Sequence, residues 1–239
     1  MKRALLVDID DTVVDWMGPA RDAVRSSVAT HRTLAGSDPE RLADRFLEIV
    51  EETHALWLSG DLSVDALRAE RIRRLVAESG NAELDPNEAE ELAAAYREAY
   101  LAARRPVIGA AELLAEVRRR GARVVAVTNN LVAEQEGKLR HVAMRHLFDE
   151  LVISEAVGIS KPDPAIFDLA LRSAGVRSHE AVMLGDSWAN DVMGAIGSGI
   201  AAAWLDRAGT GTPDASVGVL VLSSLQPARE VAAALLDNV

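Results

Sequence analysis

The stretch from Leu5 to Val14, which reads LLVDIDDTVV, constrains the fold more than any other part of the chain. Its opening apolar run is too short for a helix and is typical of a strand buried on both faces. Asp8, Asp10 and Asp11 follow at once. Crowded carboxylates at the end of a buried strand repel one another unless a cation or specific donors hold them. A helix cap would explain one such residue but not three, and ligands bind at the carboxyl ends of strands in open α/β sheets, so we predict an active site here.

Composition limits the possible partners. The chain has 239 residues, 49% of them hydrophobic, with 26 basic and 37 acidic residues and a net charge of −11. This composition predicts a globular protein, and the acidic surface disfavours nucleic acid and anionic membranes as partners. The apolar run behind the N-terminus is too short for a signal peptide or a membrane span. For that reason we expect a cytoplasmic location, and the absence of cysteine is compatible with a reducing compartment. The oligomeric state is open.

Residues 15–104 have a helical pattern with no run typical of a strand. Helix start signals occur at Asp38, Ser63 and Asp85, and glycines follow two of the apolar stripes, at Gly60 and Gly80. A weaker helical pattern covers 17–33. We therefore predict a helical bundle inserted after the first strand.

From Arg105 onward strands alternate with helices, which predicts a mostly parallel sheet covered by helices. We expect helices at 110–120, 134–145, 164–174, 189–196 and 227–236, and strands at 123–127, 150–153, 180–184, 201–205 and 217–222. The predicted organisation is an α/β core formed by 1–14 and 105–239, with 15–104 as the inserted bundle.

Three further polar sites follow strands of this predicted sheet: Thr128-Asn129-Asn130, Lys161, and Gly185-Asp186 with Asp191. Each alone has an ordinary explanation as a turn, a surface lysine or a helix cap. Together they offer carboxylates for a metal ion, a hydroxyl and backbone amides for an anion, and a lysine to neutralise charge. This set is typical of phosphoryl transfer.

The same residues resemble the four motifs of the haloacid dehalogenase superfamily, in that family's order. Asp8, Asp10 and Thr12 match the first motif, and the other three are matched by Thr128, Lys161, and Gly185-Asp186 with Asp191. The resemblance covers roughly 1–14 and 105–203. It implies a Rossmann-like parallel sheet flanked by helices, with 15–104 as a C1-type helical cap that selects the substrate.

The resemblance also implies a role for each core residue. Asp8 would be the nucleophile that forms an aspartyl phosphate, and Asp10 would be the general acid and base. Mg²⁺ would be bound by Asp8, Asp186 and the backbone carbonyl of Asp10, with Asp191 in or near its second shell of ligands. The phosphoryl oxygens would be bound by Thr128, the amide of Asn129 and Lys161.

Two positions depart from the family pattern without affecting these roles. Asp11 and Asn130 stand where the family often has glycine. Both residue types tolerate left-handed backbone better than most.

The function implied is Mg²⁺-dependent hydrolysis of a small phosphorylated metabolite, and a softer resemblance in the bundle favours a nucleotide or a sugar phosphate. Candidate cap residues for contact with the leaving group are His54, Trp57, Arg68 and Arg71. The sequence alone does not place them over the site, because their position depends on how the bundle docks. For Trp57, packing within the bundle is about as good an explanation. For the two arginines a solvated charged face is the better one.

Three alternatives remain open. A 2-haloacid dehalogenase uses the same nucleophile without metal, but the polar Asp10 argues against it, because that position is apolar or aromatic in those enzymes. A phosphomutase shares all four motifs. A phosphoacceptor signalling domain, a binding switch without turnover, would place its acceptor on a middle strand, where this chain has the helical bundle.

Overall fold

The strand at the start of the chain lies in the middle of a parallel sheet. The computed structural model describes residues 3–53, 63–80, 84–211, 213–214 and 217–237. In chain order its strands are β1 (Ala4–Val7), β2 (Val14–Asp15), β3 (Arg105–Pro106), β4 (Arg123–Thr128), β5 (Glu150–Ile153), β6 (Ala181–Gly185), β7 (Ala201–Leu205) and β8 (Leu220–Leu222). Six of them form one parallel sheet in the order β5-β4-β1-β6-β7-β8. This confirms the predicted α/β fold class.

The helices, in chain order, are α1 (Met17–Thr30), α2 (Pro39–Glu52), α3 (Val64–Glu78), α4 (Pro86–Ala103), α5 (Ala110–Arg119), α6 (Val132–His141), α7 (Pro164–Ala174) and α8 (Ala228–Leu236). Single helical turns lie at Ser154–Val157 and Gly194–Gly197, and a π-helical turn at Trp188–Met193. No helix within the described residues is long and apolar enough to cross a membrane.

Both faces of the sheet are buried, as the continuous apolar run of β1 predicts. Leu5 and Val7 belong to a cluster with α5 and α8, whereas Leu6 belongs to a second cluster with Phe167 on α7. Alternate side chains of β1 therefore point into two separate hydrophobic layers. This sandwich fixes the carboxyl edge of β1.

The chain divides into two compact units, 1–15 with 105–239, and 16–104. Asp15 belongs to the first unit because β2 pairs with β3 in antiparallel register. The carboxylate of Asp15 also accepts a 3.0 Å hydrogen bond from Arg105 Nε. A two-residue pairing is too short to give a periodic signal, so it was missing from the prediction.

The second unit is a helical bundle. Its described part contains α1 to α4 around a core that includes Leu42, Phe46, Leu75 and Leu92. Asp38, Ser63 and Asp85 cap α2, α3 and α4 with side-chain acceptors, as their positions predicted.

Several predicted boundaries were wrong. Helix α2 ends at Glu52, well before Gly60. At this end the Thr53 hydroxyl donates to the carbonyls of Ile49 and Val50. Helix α6 ends at His141 because Ala143 adopts a left-handed backbone with φ 55°. The predicted α-helix at 189–196 is the π-helical turn followed by a short α-helical turn, and β8 covers only the last part of 217–222.

Candidate active site

Asp8, the first residue after β1, lies at the carboxyl edge of the sheet. Its backbone N–H donates to the carbonyl of Leu184 on β6 at 3.0 Å, which extends the strand pairing by one residue. Its side chain is 10% exposed. The pairing fixes the backbone on which this buried carboxylate is carried.

Lys161 places its ammonium between two carboxylates. Its Nζ lies 2.6 Å from Asp8 Oδ1 and 2.6 Å from Asp191 Oδ1, and its side chain is 3% exposed. The Asn129 side chain holds the backbone of this lysine, donating to its carbonyl at 2.8 Å and accepting from its N–H at 2.7 Å. Asn129 therefore holds the backbone of Lys161, while Asp8 and Asp191 hold its ammonium.

Asp8, Asp186 and Asp191 form an acidic cluster. One carboxylate oxygen from each lies within 4.8 Å of the others. Thr12 Oγ1 donates to Asp186 Oδ1 at 3.1 Å. Gly185 permits the approach of Asp191, because a Cβ at Gly185 would collide with that carboxylate.

Asp191 also belongs to the turn that follows β6. Its Oδ2 accepts from the N–H of Ser187 at 3.0 Å, and the Ser187 hydroxyl caps the turn by accepting from Asn190 N–H at 3.2 Å. The capping explanation and the cluster explanation of this motif therefore both apply. Since both oxygens of Asp191 already accept hydrogen bonds, Asp8 and Asp186 are better placed to bind a cation directly.

The donor set of this cluster fits a hard divalent cation. Three carboxylates and one ammonium leave an excess of negative charge in a largely buried place. Carboxylate oxygens are the ligands that Mg²⁺ prefers. The Asp10 carboxylate is not a member of the cluster, which leaves its backbone carbonyl as the group predicted to bind the ion.

Electrostatics within the cluster agree with this fit. Burial, reinforced by Asp191 and Asp10 and opposed by Lys161, raises the pKa of Asp8 to about 7. Burial and the charge of Asp8 raise the pKa of Asp186 well above its ordinary value. Burial would lower the pKa of Lys161, but the charges of Asp191 and Asp8 outweigh it and hold that pKa above its ordinary value. The ammonium is therefore fixed as a cation, while the carboxylates lack sufficient positive charge.

Asp10 is held by three donors of its own. Lys138 Nζ lies 2.5 Å from its Oδ1, and its Oδ2 accepts from Gln135 Nε2 at 2.9 Å and Asn130 Nδ2 at 3.0 Å. Burial would raise the pKa of Asp10, but the charge of Lys138 and these hydrogen bonds outweigh it and hold the pKa below its ordinary value. Asp10 is thus ionised and oriented separately from Asp8.

Sequence reasoning missed Gln135 and Lys138. Both lie on α6, where polar residues ordinarily face solvent, yet Gln135 is fully buried and the Lys138 side chain is 4% exposed. Their spacing of three puts them on one face of the helix. This shared helix face is the one feature of the sequence that could have indicated that both residues reach the site.

Thr128 ends β4 and is buried. Its Oγ1 accepts a 2.7 Å hydrogen bond from Gln135 Nε2. The structure therefore brings Thr128, Asp10 and α6 together at the same edge of the sheet as Asp8.

Of the two residues that stand where the family often has glycine, only Asp11 adopts a left-handed backbone. Asp11 has φ 55° and accepts from Arg207 Nη2 at 3.0 Å. Asn130 is not in the left-handed region; its side chain binds Asp10 instead.

Of the four candidate cap residues, the structure describes Arg68 and Arg71. His54 and Trp57 lie outside the described residues. Arg68 pairs with Asp65 at 2.9 Å on the surface of α3. Arg71 is half-buried and donates from Nε to Thr53 Oγ1 at 2.8 Å; burial lowers its pKa to about 10, so it remains charged at neutral pH.

Comparison with known proteins gives sequence relatives that are phosphatases. A phosphoserine phosphatase from Thermus thermophilus is 42% identical over 138 residues, which are 56% of this chain and 53% of that protein. A glyceraldehyde 3-phosphate phosphatase from Methanopyrus kandleri is 30% identical over 201 residues, 84% of this chain and 82% of that protein. The chain thus matches about half the length of the first relative and most of the second.

Solved structures share the fold. A HAD-hydrolase from Bacillus subtilis bound to magnesium has a TM-score of 0.76 at 19% identity, over 97% of this chain and 98% of that one. 2-Haloacid dehalogenases are among the other solved structures with this fold. The family model described as haloacid dehalogenase-like hydrolase matches residues 2–199, a range that contains all four polar sites. The chain therefore belongs to the haloacid dehalogenase-like hydrolase family.

Proposed function

We propose that this protein is a Mg²⁺-dependent phosphomonoester hydrolase that acts on a small phosphorylated metabolite through an aspartyl-phosphate intermediate. The observation that carries the proposal is the division of labour between two carboxylates two residues apart. Asp8 lies beside Lys161 and the acidic cluster, whereas Asp10 is oriented by separate donors. A nucleophile and an acid–base group need such different environments.

In this proposal Asp8 attacks phosphorus and Asp10 serves both half-reactions. Because Asp10 is ionised in the free site, it takes up a proton before this step. The bond from phosphorus to the leaving oxygen then breaks while Asp10 gives that oxygen the proton. The resulting ionised Asp10, held by its three donors, then accepts a proton from the water that hydrolyses the aspartyl phosphate. One carboxylate thus changes role between the two steps.

In this proposal, residues of the site balance the negative charge on the transferring group. Lys161 and the Thr128 hydroxyl, with the backbone amide of Asn129, bind the phosphoryl oxygens. A Mg²⁺ ion held by Asp8, Asp186 and the Asp10 carbonyl would neutralise developing charge and orient the ester. Asp191, which lies 2.6 Å from Lys161 Nζ, would help to position that ammonium.

The names of two relatives support the proposed substrate class. One relative is named for phosphoserine and the other for glyceraldehyde 3-phosphate, both small monoesters. We propose a small metabolite of this kind, with a sugar phosphate or a nucleotide as the first compounds to test, in the cytoplasm. The unit 16–104 would act as the C1-type cap that selects among them, with no nucleic acid or membrane partner.

A 2-haloacid dehalogenase is the second candidate, favoured by solved structures that share the fold. It would need neither the acid–base group nor the metal ion. The charged and hydrogen-bonded environment of Asp10 argues against it. A phosphomutase ranks third, since it would use the same core residues.

The test is phosphate release from a broad panel of phosphorylated metabolites with Mg²⁺, followed by chelation. We expect release that chelation abolishes, and no chloride release from chloroacetate. Asp168→Asn, a change at an exposed aspartate on α7, should leave the rates unchanged. If no monoester is hydrolysed, or if chloroacetate is dehalogenated without metal, the proposal is wrong. A phosphoacceptor switch would accept phosphate without turnover.

A further inference from the structure

Helix α6 contributes two buried polar side chains that no motif of the site includes. Gln135 and Lys138 lie on one face of the helix and both donate to the carboxylate of Asp10, one to each oxygen. Their side chains are almost completely buried, whereas Arg140 on the same helix is 69% exposed. The sheet-facing side of α6 is therefore polar where it meets Asp10.

Stability alone does not account for this arrangement. Burying an ammonium costs several kcal/mol of hydration, and a buried ion pair commonly contributes no more stability than well-packed apolar side chains of similar volume. In addition, Gln135 Oε1 is buried without a hydrogen-bond partner in the part of the chain that the structure describes. An unpaired buried acceptor is destabilising. The buried position of Gln135 is therefore explained by a functional role and not by stability.

That benefit lies in the two groups that Gln135 connects. Its Nε2 donates both to Asp10 Oδ2 at 2.9 Å and to Thr128 Oγ1 at 2.7 Å. Only the amide nitrogen can serve a carboxylate oxygen, so the amide orientation is determined by Asp10. Because the Thr128 hydroxyl accepts from Gln135, its own proton is left to be donated to another acceptor.

We propose that Gln135 and Lys138 are positioning residues: Lys138 holds the Asp10 carboxylate at its place beside Asp8, and Gln135 couples that carboxylate to the Thr128 hydroxyl. This inference rests on the proposed function, since it assigns Asp10 and Thr128 their roles in phosphoryl transfer. It adds a supporting layer on α6 that links acid–base catalysis to phosphate binding.

The experiment is a double-mutant cycle between Lys138→Met and Asp10→Asn, measured with an activated aryl phosphate and an alkyl phosphate. If Lys138 acts through Asp10, Lys138→Met should lower kcat by about 10- to 100-fold on the alkyl ester with KM little changed. The loss in kcat/KM, which reports the first half-reaction, should be smaller on the aryl ester, because its leaving group needs less protonation. In the Asp10→Asn background, Lys138→Met should add less than about threefold.

Arg140→Met is the matched control, because it removes the same charge from the exposed face of α6. A second cycle, Gln135→Met with Thr128→Val, tests the other link and remains informative if Lys138→Met does not fold. Effects that multiply in both cycles, or equal losses on both esters accompanied by a lower Tm, would overturn the inference. If the wild-type enzyme hydrolyses no phosphate ester, the proposed function itself has failed, which is a different result.

Discussion

Replacing Lys161 with methionine should destabilise the protein strongly, and more so at high pH than at low pH. The ammonium makes two contacts of 2.6 Å with buried carboxylates and is 3% exposed. At an effective dielectric constant of about 20 and with the centres of charge taken as about 4 Å apart, one such pair contributes roughly 4 kcal/mol, so two give about 8 kcal/mol. Subtracting several kcal/mol for burial of the ammonium leaves a net loss of about 3–5 kcal/mol.

The pH dependence follows from the groups left behind. Without Lys161 the folded-state pKa of Asp8, which burial already raises, rises further above that of the unfolded chain. Groups with a raised folded-state pKa contribute stability that is present at low pH and lost as the pH rises through that pKa. The loss in Lys161→Met should therefore be largest at about pH 8 and shrink toward pH 5, as Asp8 protonates.

Denaturant unfolding at these two pH values measures the effect, with Arg140→Met as the exposed control, expected to stay within about 0.5 kcal/mol of wild type. Mg²⁺ should restore part of the stability, by about 2.7 kcal/mol at one hundred times its Kd. A loss below about 1 kcal/mol, or one independent of pH, would refute the view that Lys161 neutralises the acidic cluster.

Three further predictions concern the acidic cluster with its metal ion, the acid–base group Asp10, and the cap. Since the pKa values of Asp8 and Asp186 are raised, the free energy of unfolding of the metal-free protein should fall as the pH rises from about 4 to about 7. Mg²⁺ should release protons on binding. In calorimetry Asp186→Asn should reduce both effects, and unchanged effects would contradict the prediction. Asp10→Asn should slow the first half-reaction of alkyl phosphates by about 100-fold or more but spare that of aryl phosphates. A burst of phenol release followed by slow turnover measures this, and equal slowing of the first half-reaction on both esters would contradict it. If Arg68 contacts the leaving group, Arg68→Gln should raise KM for the natural substrate while a small aryl phosphate reacts as before; Arg73→Gln on the same helix is the control, and uniform loss with a lower Tm would assign Arg68 to the bundle alone.

Much of the core could be predicted because its signals are local. The apolar run before Asp8 marks a strand buried on both faces, and Asp163 with Pro164 marks the start of α7, where the N–H of Ala165 donates to the Asp163 side chain. The four polar sites could be predicted to lie at strand ends because each one follows an apolar run that is typical of a strand. Their convergence follows from the parallel sheet.

What could not be predicted depends on tertiary contacts. The turn after β6 is π-helical, a distinction that hydrophobic periodicity does not carry, and Asp191 lies in it against Gly185. Lys138 reads as a solvated residue on an amphipathic helix, and only the three-dimensional packing shows that it lies buried beside Asp10. The side-chain contacts of Asn129 with Lys161 likewise join residues 32 positions apart.

The central claim is that phosphate passes through a covalent bond to Asp8, and trapping that intermediate tests it most directly. Asp10→Asn protein with Mg²⁺ and an activated aryl phosphate, quenched in acid and digested, should yield one phosphoryl group on the peptide that contains Asp8. Asp8→Asn should yield none and should be inactive. Steady hydrolysis by Asp8→Asn, or a phosphoryl group on a different residue, would contradict the account.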